Sequence, residues 1–243
     1  MGRHILYALV LSAAIAGTAA AAEAAAYDIS SDFSTASSSN GVWSYGYAAV
    51  PAPNSVPALF LYDQTEIAAC TGGSAQVWRS SGPVTSLQAP ANFNNPNNNS
   101  INCGNYNWPA HTAAFHPASN GDWSIYRFTA PSAGGYALDA TFIVLDSGGT
   151  DVHILKNGTE IYTANSAGLP SGSTFGALNQ TLALAAGEVI DFGVGVGSDG
   201  NFFSDGTGIN ATLTSDAAVP EPSTLLLLAA SLPGLGFIRR RTR

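Results

Sequence analysis

Few residues in this chain carry groups able to do chemistry, and their spacing narrows what that chemistry could be. The stretch "GSDGNFFSDGTG", Gly197 to Gly208, sets Asp199, Asn201 and Asp205 on a glycine-rich loop. "LDSGGTD" offers Asp146 and Asp151. Oxygen donors on short loops are what Ca²⁺ takes. The spacing is not that of an EF-hand, and ordinary polar turns account for both stretches equally well. Cys70 and Cys103 are the two cysteines. No Cys-x-x-Cys or histidine pair at ligand spacing accompanies either, which argues against zinc. An even cysteine count in an exported chain predicts a disulfide, worth about 3 kcal/mol for a loop of roughly 30 residues in the chain-entropy view.

Catalysis finds less support. Glycoside hydrolysis needs two carboxylates across a sugar. Glu66, Glu160 and Glu188 are the glutamates between Tyr27 and Val219, and Glu160 and Glu188 follow turn signals. His116 precedes Pro117, and His153 stands two residues from Asp151. No Gly-x-Ser-x-Gly elbow offers a nucleophile to either histidine. The expectation is a protein that is not an enzyme and needs no cofactor, Ca²⁺ apart.

Sugar binding asks for exposed rings beside amides or carboxylates: rings cover apolar sugar faces, and polar groups bond hydroxyls. Tyr106 and Trp108 in the asparagine-rich stretch, and Phe202 and Phe203 in the later loop, are the candidates. Trp43, Tyr45, Tyr47 and Trp78 are expected in the core.

Charge excludes a further class. Charged residues make up only 10% of the chain, against about 25% in a typical soluble domain. Between Tyr27 and Val219 stand Arg79, Arg127 and Lys156 against 14 acids, a net charge of −11. No basic patch exists to neutralise phosphates, so nucleic acid is not an expected partner. Ser, Thr, Asn and Gly must solvate the surface instead, which suits an extracellular β-protein.

The elements that would position these residues read as strands. Short β-branched and aromatic runs alternate with Gly, Asn, Ser and Pro clusters, the pattern of a sandwich or jelly roll. "GVWSYGYAAV" puts Trp43, Tyr45 and Tyr47 on one face. "NFNNPNNNSINCGNYNWP", Asn92 to Pro109, reads as a surface loop tied down at Cys103. "DVHILKNGTEIYT" is a hairpin with a type I′ turn at Asn157-Gly158. The predicted fold is an all-β sandwich of jelly-roll type over residues 27–218, best defined over 115–215.

Both ends read as addresses. "MGRHILYALVLSAAIAGTAAAAEAAAYDIS" has a basic residue at Arg3, an apolar run from Ile5 to Ile15, and small residues after it. This is a signal peptide, cut after Ala22 or Ala26, with Ala26 preferred. At the other end, Thr224–Ile238 is an apolar run of 15 residues. As a helix it would reach roughly 22 Å, against a hydrocarbon core of about 30 Å. Arg239, Arg240, Arg241 and Arg243 follow and would stay on the cytoplasmic side.

Pro220-Glu221-Pro222, the leucine-rich run and the arginine tail stand in that order. "VPEPSTLLLLAASLPGLGFIRRRTR", residues 219–243, therefore resembles the PEP-CTERM sorting signal of Gram-negative bacteria. The resemblance implies processing by an exosortase, a transient inner-membrane anchor through the short transmembrane helix, and release to the cell surface or matrix. It also implies association with exopolysaccharide and biofilm. Signal peptidase would act at the other end. Pro220, Glu221, Pro222, Arg239, Arg240 and Arg241 would form the recognition signal: two prolines keep Glu221 extended and outside the helix.

The rhythm of residues 115–215 is similar to jelly-roll domains of PEP-CTERM proteins and of carbohydrate-binding modules. The main functional expectation is a non-enzymatic surface or matrix protein, and the alternative is a secreted carbohydrate-binding module. A secreted hydrolase lacks a visible site. A C-terminal region of this kind is also labelled an ice-binding protein C-terminal domain. Ice binding wants a flat threonine array, and only Thr212 and Thr214 form such a pair.

Overall fold

A computed structural model describes residues 23–81, 90–104 and 106–216. The apolar run read as a signal peptide and the whole segment that resembles a PEP-CTERM signal, with Pro220, Glu221, Pro222, Arg239, Arg240 and Arg241, lie outside the described residues. No helix among the described residues is long and apolar enough to cross a membrane.

Residues Ala24–Asp216 form one compact all-β unit. Its first nine strands are β1 (Ala26–Asp28), β2 (Trp43–Ala48), β3 (Phe60–Leu61), β4 (Gln64–Cys70), β5 (Gly73–Arg79), β6 (Ala91–Asn95), β7 (Ile101–Cys103), β8 (Tyr106–Trp108) and β9 (Thr112–His116). The rest are β10 (Trp123–Thr129), β11 (Gly134–Val144), β12 (Asp151–Lys156), β13 (Thr159–Asn165), β14 (Thr174–Leu184), β15 (Val189–Gly195) and β16 (Thr207–Ser215). One sheet runs β14-β11-β16-β9-β6-β5-β4, with β1 paired to β16. The second runs β13-β12-β15-β10-β2-β3, and β7 pairs with β8 as a separate hairpin. All the pairs are antiparallel.

Alternation along the strands sends one set of side chains between the two sheets. Trp43, Tyr45, Phe115, Tyr126, Phe128, Tyr136, Phe142 and Phe192 are fully buried there. Trp43 and Tyr45 sit where the sequence pattern put them, with Tyr47 packed at the margin and Trp78 buried in the same cluster. The β12–β13 hairpin turns at Asn157-Gly158, both with positive φ, as a type I′ turn demands. At the N-terminal edge, Ala25 and Ala26 take part in the fold. Ser215 donates its backbone N–H to the Ala25 carbonyl, and Ala26 pairs with Thr214.

The asparagine-rich stretch corrects the sequence reading. It is not one surface loop. Ala91–Asn95 is strand β6 inside the sheet, and Asn92, Asn94 and Asn95 are buried. Amides are tolerated there because each finds partners. Asn92 donates to the Ile125 carbonyl across the sandwich and accepts from Ser124. Asn94 donates to Ser30 O and Gln76 Oε1, and its Oδ1 accepts from the Ser30 hydroxyl. Asn95 donates to the carbonyls of Asn99, Trp108 and Pro109.

The outer face of the second sheet holds a buried ion pair. Arg127 and Asp191 stand opposite each other on β10 and β15. Arg127 grips both carboxylate oxygens, Nε to Oδ1 at 2.6 Å and an Nη to Oδ2 at 2.9 Å, and also donates to the Pro57 carbonyl. That last bond holds the segment after β2 over the sheet. Removing the guanidinium strands a buried carboxylate, which costs about 3–5 kcal/mol. Arg127→Ala should therefore lower stability by that amount in urea unfolding, and Arg127→Ala with Asp191→Leu should recover part of it.

Candidate functional site

The first sheet carries a cleft on its outer face. Its floor is built by register. Glu66 on β4 opposes Val77 on β5, Val77 opposes Phe93 on β6, and Phe93 opposes Ala114 on β9. Ala68 opposes Ala75 one step along. By the two-residue period of a strand, these residues and His116 share one face. Alanines at three of these positions leave a hollow of about 210 Å³.

The β7–β8 hairpin makes the wall. Cys70, at the end of β4, is disulfide-bonded to Cys103, at the end of β7, with Cα atoms 4.7 Å apart. A bridge between Thr71 and Asn102 reinforces the tie. The hairpin thus lies over the sheet and packs Ile101 and Trp108 against Ala75 and Ala114. Trp108 meets Phe93 edge to face at 5.3 Å between ring centroids, and Tyr106 lies 6.3 Å from Trp108. Gly206 closes the far side, and a Cβ there would stand 2.6 Å from the Tyr106 ring.

A second hollow of about 360 Å³ continues from the first past Cys103, Tyr106 and His116. Asp146, Ser204 and Phe203 form its rim. The structure therefore brings together rings that are about 100 residues apart in sequence. Tyr106 is half-buried, Phe203 is 61% exposed, and Phe202 packs edge-on to His116 at 6.3 Å. Trp108 differs from expectation. It is 5% exposed, because the disulfide-tied hairpin turns it onto the sheet. It lines the cavity wall instead of standing in solvent, and its indole N–H is buried with no hydrogen-bond partner.

Several polar groups converge on the cleft. Burial, then the charges of Asp146 and Asp205, push the Tyr106 hydroxyl up to about 12, so it stays a donor. Burial pulls His116 below its ordinary value, against the opposing effects of the Pro117 carbonyl and Asp146. His116 Nδ1 lies 2.8 Å from the Pro117 carbonyl. A carbonyl only accepts, so the proton sits on Nδ1 and Nε2 is the ring's acceptor. Sequence reasoning did not single out His116 or Phe93 for this face. The signal lay in cross-strand register, which a single sequence does not display.

The three glutamates are otherwise engaged. Glu66 pairs with Arg79 at 3.4 Å, Glu160 with His153, and Glu188 accepts from the Ala185 backbone. His153 lies between Asp151 and Glu160 and stacks on Trp123 at 4.0 Å. Burial opposes its protonation, but the two carboxylates outweigh that and raise its pKa.

The two acidic stretches converge as well. Asp205 is 0% exposed, and neither carboxylate oxygen has a hydrogen-bond partner. Burial, then Asp199, Asp151 and Asp146, push its carboxyl up to about 8. Asn201 stands apart from this group: it is exposed, and its side-chain oxygen accepts the Phe203 N–H. Among the described residues, no three acidic, histidine or cysteine side chains already stand as a metal-holding group.

Replacing both Cys70 and Cys103 by Ser should lower stability by about 3 kcal/mol, read as the shift in urea midpoint times the slope.

No family model matches the chain, and no curated protein matches it. Solved structures similar to it include a family 35 carbohydrate binding module from Clostridium thermocellum. It is 14% identical, covers 64% of this chain and all of its own, and has a TM-score of 0.27. A second is the CBM35 from Paenibacillus barcinonensis, at 16% identity, 63% of this chain, all of its own and a TM-score of 0.25. A third is a cyclase from Fischerella sp. TAU, at 12% identity, 72% of this chain, all of its own and a TM-score of 0.34. Likenesses this distant say nothing about ligand or activity.

Proposed function

We propose that this chain is an exported, non-enzymatic surface or matrix protein whose sandwich, of jelly-roll type, binds glycan in the cleft beneath the β7–β8 hairpin. The observation that carries the reading is the cleft itself. Phe93, Tyr106 and Trp108 line the first hollow, Tyr106 and Phe203 the second, and the buried Trp108 N–H lacks an acceptor among the described residues. A buried donor left unpaired costs about 1–3 kcal/mol, which a ligand hydroxyl would offset. The rings suit the C–H faces of a sugar, while Tyr106, His116, Asp146 and Ser204 offer donors and acceptors to its hydroxyls. With no unpaired lysine or arginine lining the cleft among the described residues, an uncharged or cationic glycan fits better than an acidic one.

Tyr106→Ala and Phe203→Ala should each weaken binding to the host's extracted exopolysaccharide about tenfold, or ~1.4 kcal/mol, in affinity electrophoresis. Phe60→Ala, on an exposed ring of β3 in the other sheet, should leave it unchanged. Wild type that migrates freely through every glycan, or cleft variants that bind like wild type, would remove this reading.

The sorting reading rests on the order of Pro220-Glu221-Pro222, the apolar run and the arginine tail. An exosortase would take the extended Pro-Glu-Pro segment and release the domain. Since Ala25 and Ala26 pair with Ser215 and Thr214, signal peptidase cleavage after Ala22 keeps that edge intact, whereas cleavage after Ala26 would remove those two pairings and leave Tyr27 and Asp28 on Leu213 and Thr212. Intact mass of the protein recovered from cells and matrix is expected to show loss of the segment beyond the PEP motif, with Glu221→Ala blocking it. Arg243 retained in both forms would mean a permanent anchor.

A further inference from the structure

The loop between β15 and β16 folds a carboxylate inward with nothing to meet it. Asp205 is fully buried, and both oxygens lack a partner. Such a group in a native interior calls for an explanation. Side-chain cations do not supply one among the described residues. Arg79 is paired with Glu66, Arg127 with Asp191, and Lys156 donates to the Ala183 carbonyl. His153 is held by Asp151 and Glu160. Protonation would remove the charge but leave a hydroxyl and a carbonyl oxygen still unbonded.

The surroundings are built from oxygen. Asp205 meets the Asp146–Thr150 loop, where a Cβ added to Gly148 would collide with Asp205 Oδ1 and the Ser204 carbonyl. Next to it, a Cβ on Gly149 would stand 3.6 Å from Asp199 Oδ2. Gly148 thus lets its loop's backbone press against Asp205 Oδ1 and the Ser204 carbonyl, and Gly149 faces the Asp199 carboxylate. Ser204 holds φ at 65°, a left-handed conformation uncommon outside glycine, just where the chain turns Asp205 inward. Asp146, Asp151 and Asp199 all add negative charge at Asp205. Asp151 is already committed, Oδ1 to the Gly197 N–H and Oδ2 to His153, so it contributes field and not a ligand.

We propose that Asp205 is the buried anchor of a Ca²⁺ site that joins the Asp146–Thr150 and Gly197–Gly206 loops, with Asp199 and Asp146 as its other carboxylates. Backbone carbonyls and water complete the oxygen shell. The donor set selects the ion. All the groups are hard oxygens on two irregular loops, which suits the 6–8 ligands and variable geometry of Ca²⁺ better than the strict octahedron of Mg²⁺. Cysteine and histidine, which zinc prefers, are absent from the set. The carboxylates do not yet stand as a closed group, so the ion draws the two loops together. This site shares Asp146 with the rim of the cleft, and the loop it fastens carries Phe202 and Phe203; the calcium titration reads it without any glycan present.

The test is calcium titration of the full chain after EDTA treatment and its removal, by calorimetry and by thermal melting. Saturable binding is expected with Kd around 0.1–1 mM, the range of extracellular modules, together with a calcium-dependent rise in Tm. Asp205→Asn should abolish both. Asp199→Asn, on the exposed turn, keeps the test readable if the buried variant does not fold: it should melt like wild type without calcium and bind roughly tenfold more weakly. Asp139→Asn, on a surface strand, should bind like wild type. No saturable binding at millimolar calcium would overturn the proposal. So would Asp205→Asn or Asp199→Asn binding with wild-type affinity, and Mg²⁺ matching Ca²⁺ would overturn the choice of ion.

Discussion

Strand β6 carries the hydrogen bonds on which both faces of the first sheet depend. Its Asn92 side chain reaches through the core to the Ile125 carbonyl, and Ser124 bonds back to Asn92 and Ala91. Tyr126, from the opposite sheet, donates to the carbonyls of Phe93 and Ala114. Between apolar layers such bonds are strong because water does not compete, and equally they would be costly to leave half-made. They set the two sheets at one distance and one register. With that register set, Phe93 must point outward, and Asn95 must point at the hairpin. The cleft therefore inherits its geometry from amides inside the sandwich.

The low charge of the domain shapes its polar chemistry. With three bases in the folded region, each is committed: one to a buried carboxylate, one to a surface pair, one to a carbonyl. Asparagine, serine and tyrosine do the remaining bonding, and most of the buried groups are satisfied this way. The exceptions are informative because they are few. Trp108 lines the cleft, with its Nε1 buried and unpartnered, and Asp205 is buried next to Ser204 of the rim. One lacks an acceptor and the other lacks a positive charge. The two proposals, a hydroxylated ligand and a cation, each answer one of these needs.

The disulfide connects these features. It joins β4 to the hairpin that walls the cleft. Without it, the short β7–β8 pair would depend on the contacts of Ile101 and Trp108 and on the Asn95 bonds alone. A two-stranded hairpin is marginal by itself, and the covalent tie holds the rings in this region against the sheet.

Local chemistry made much of this legible. Alternation announced strands because the pleat repeats every two residues, and Asn157-Gly158 announced its turn because both positions need positive φ. Two cysteines in a chain read as exported announced their bond. The runs at both ends were read as addresses from the chain alone, since targeting signals act as linear segments. The asparagines of β6 misled, because an amide in a turn and an amide bonded across a core have the same letter, and only partners distant in sequence separate them. Trp108 misled for the same reason: its exposure depends on where a disulfide lays the hairpin. The sequence by itself determined the strand content, the turns and the disulfide. Tertiary structure alone decided which side chains share the cleft and which acids share Asp205's neighbourhood, because cross-strand register and loop packing depend on contacts between residues far apart in the chain.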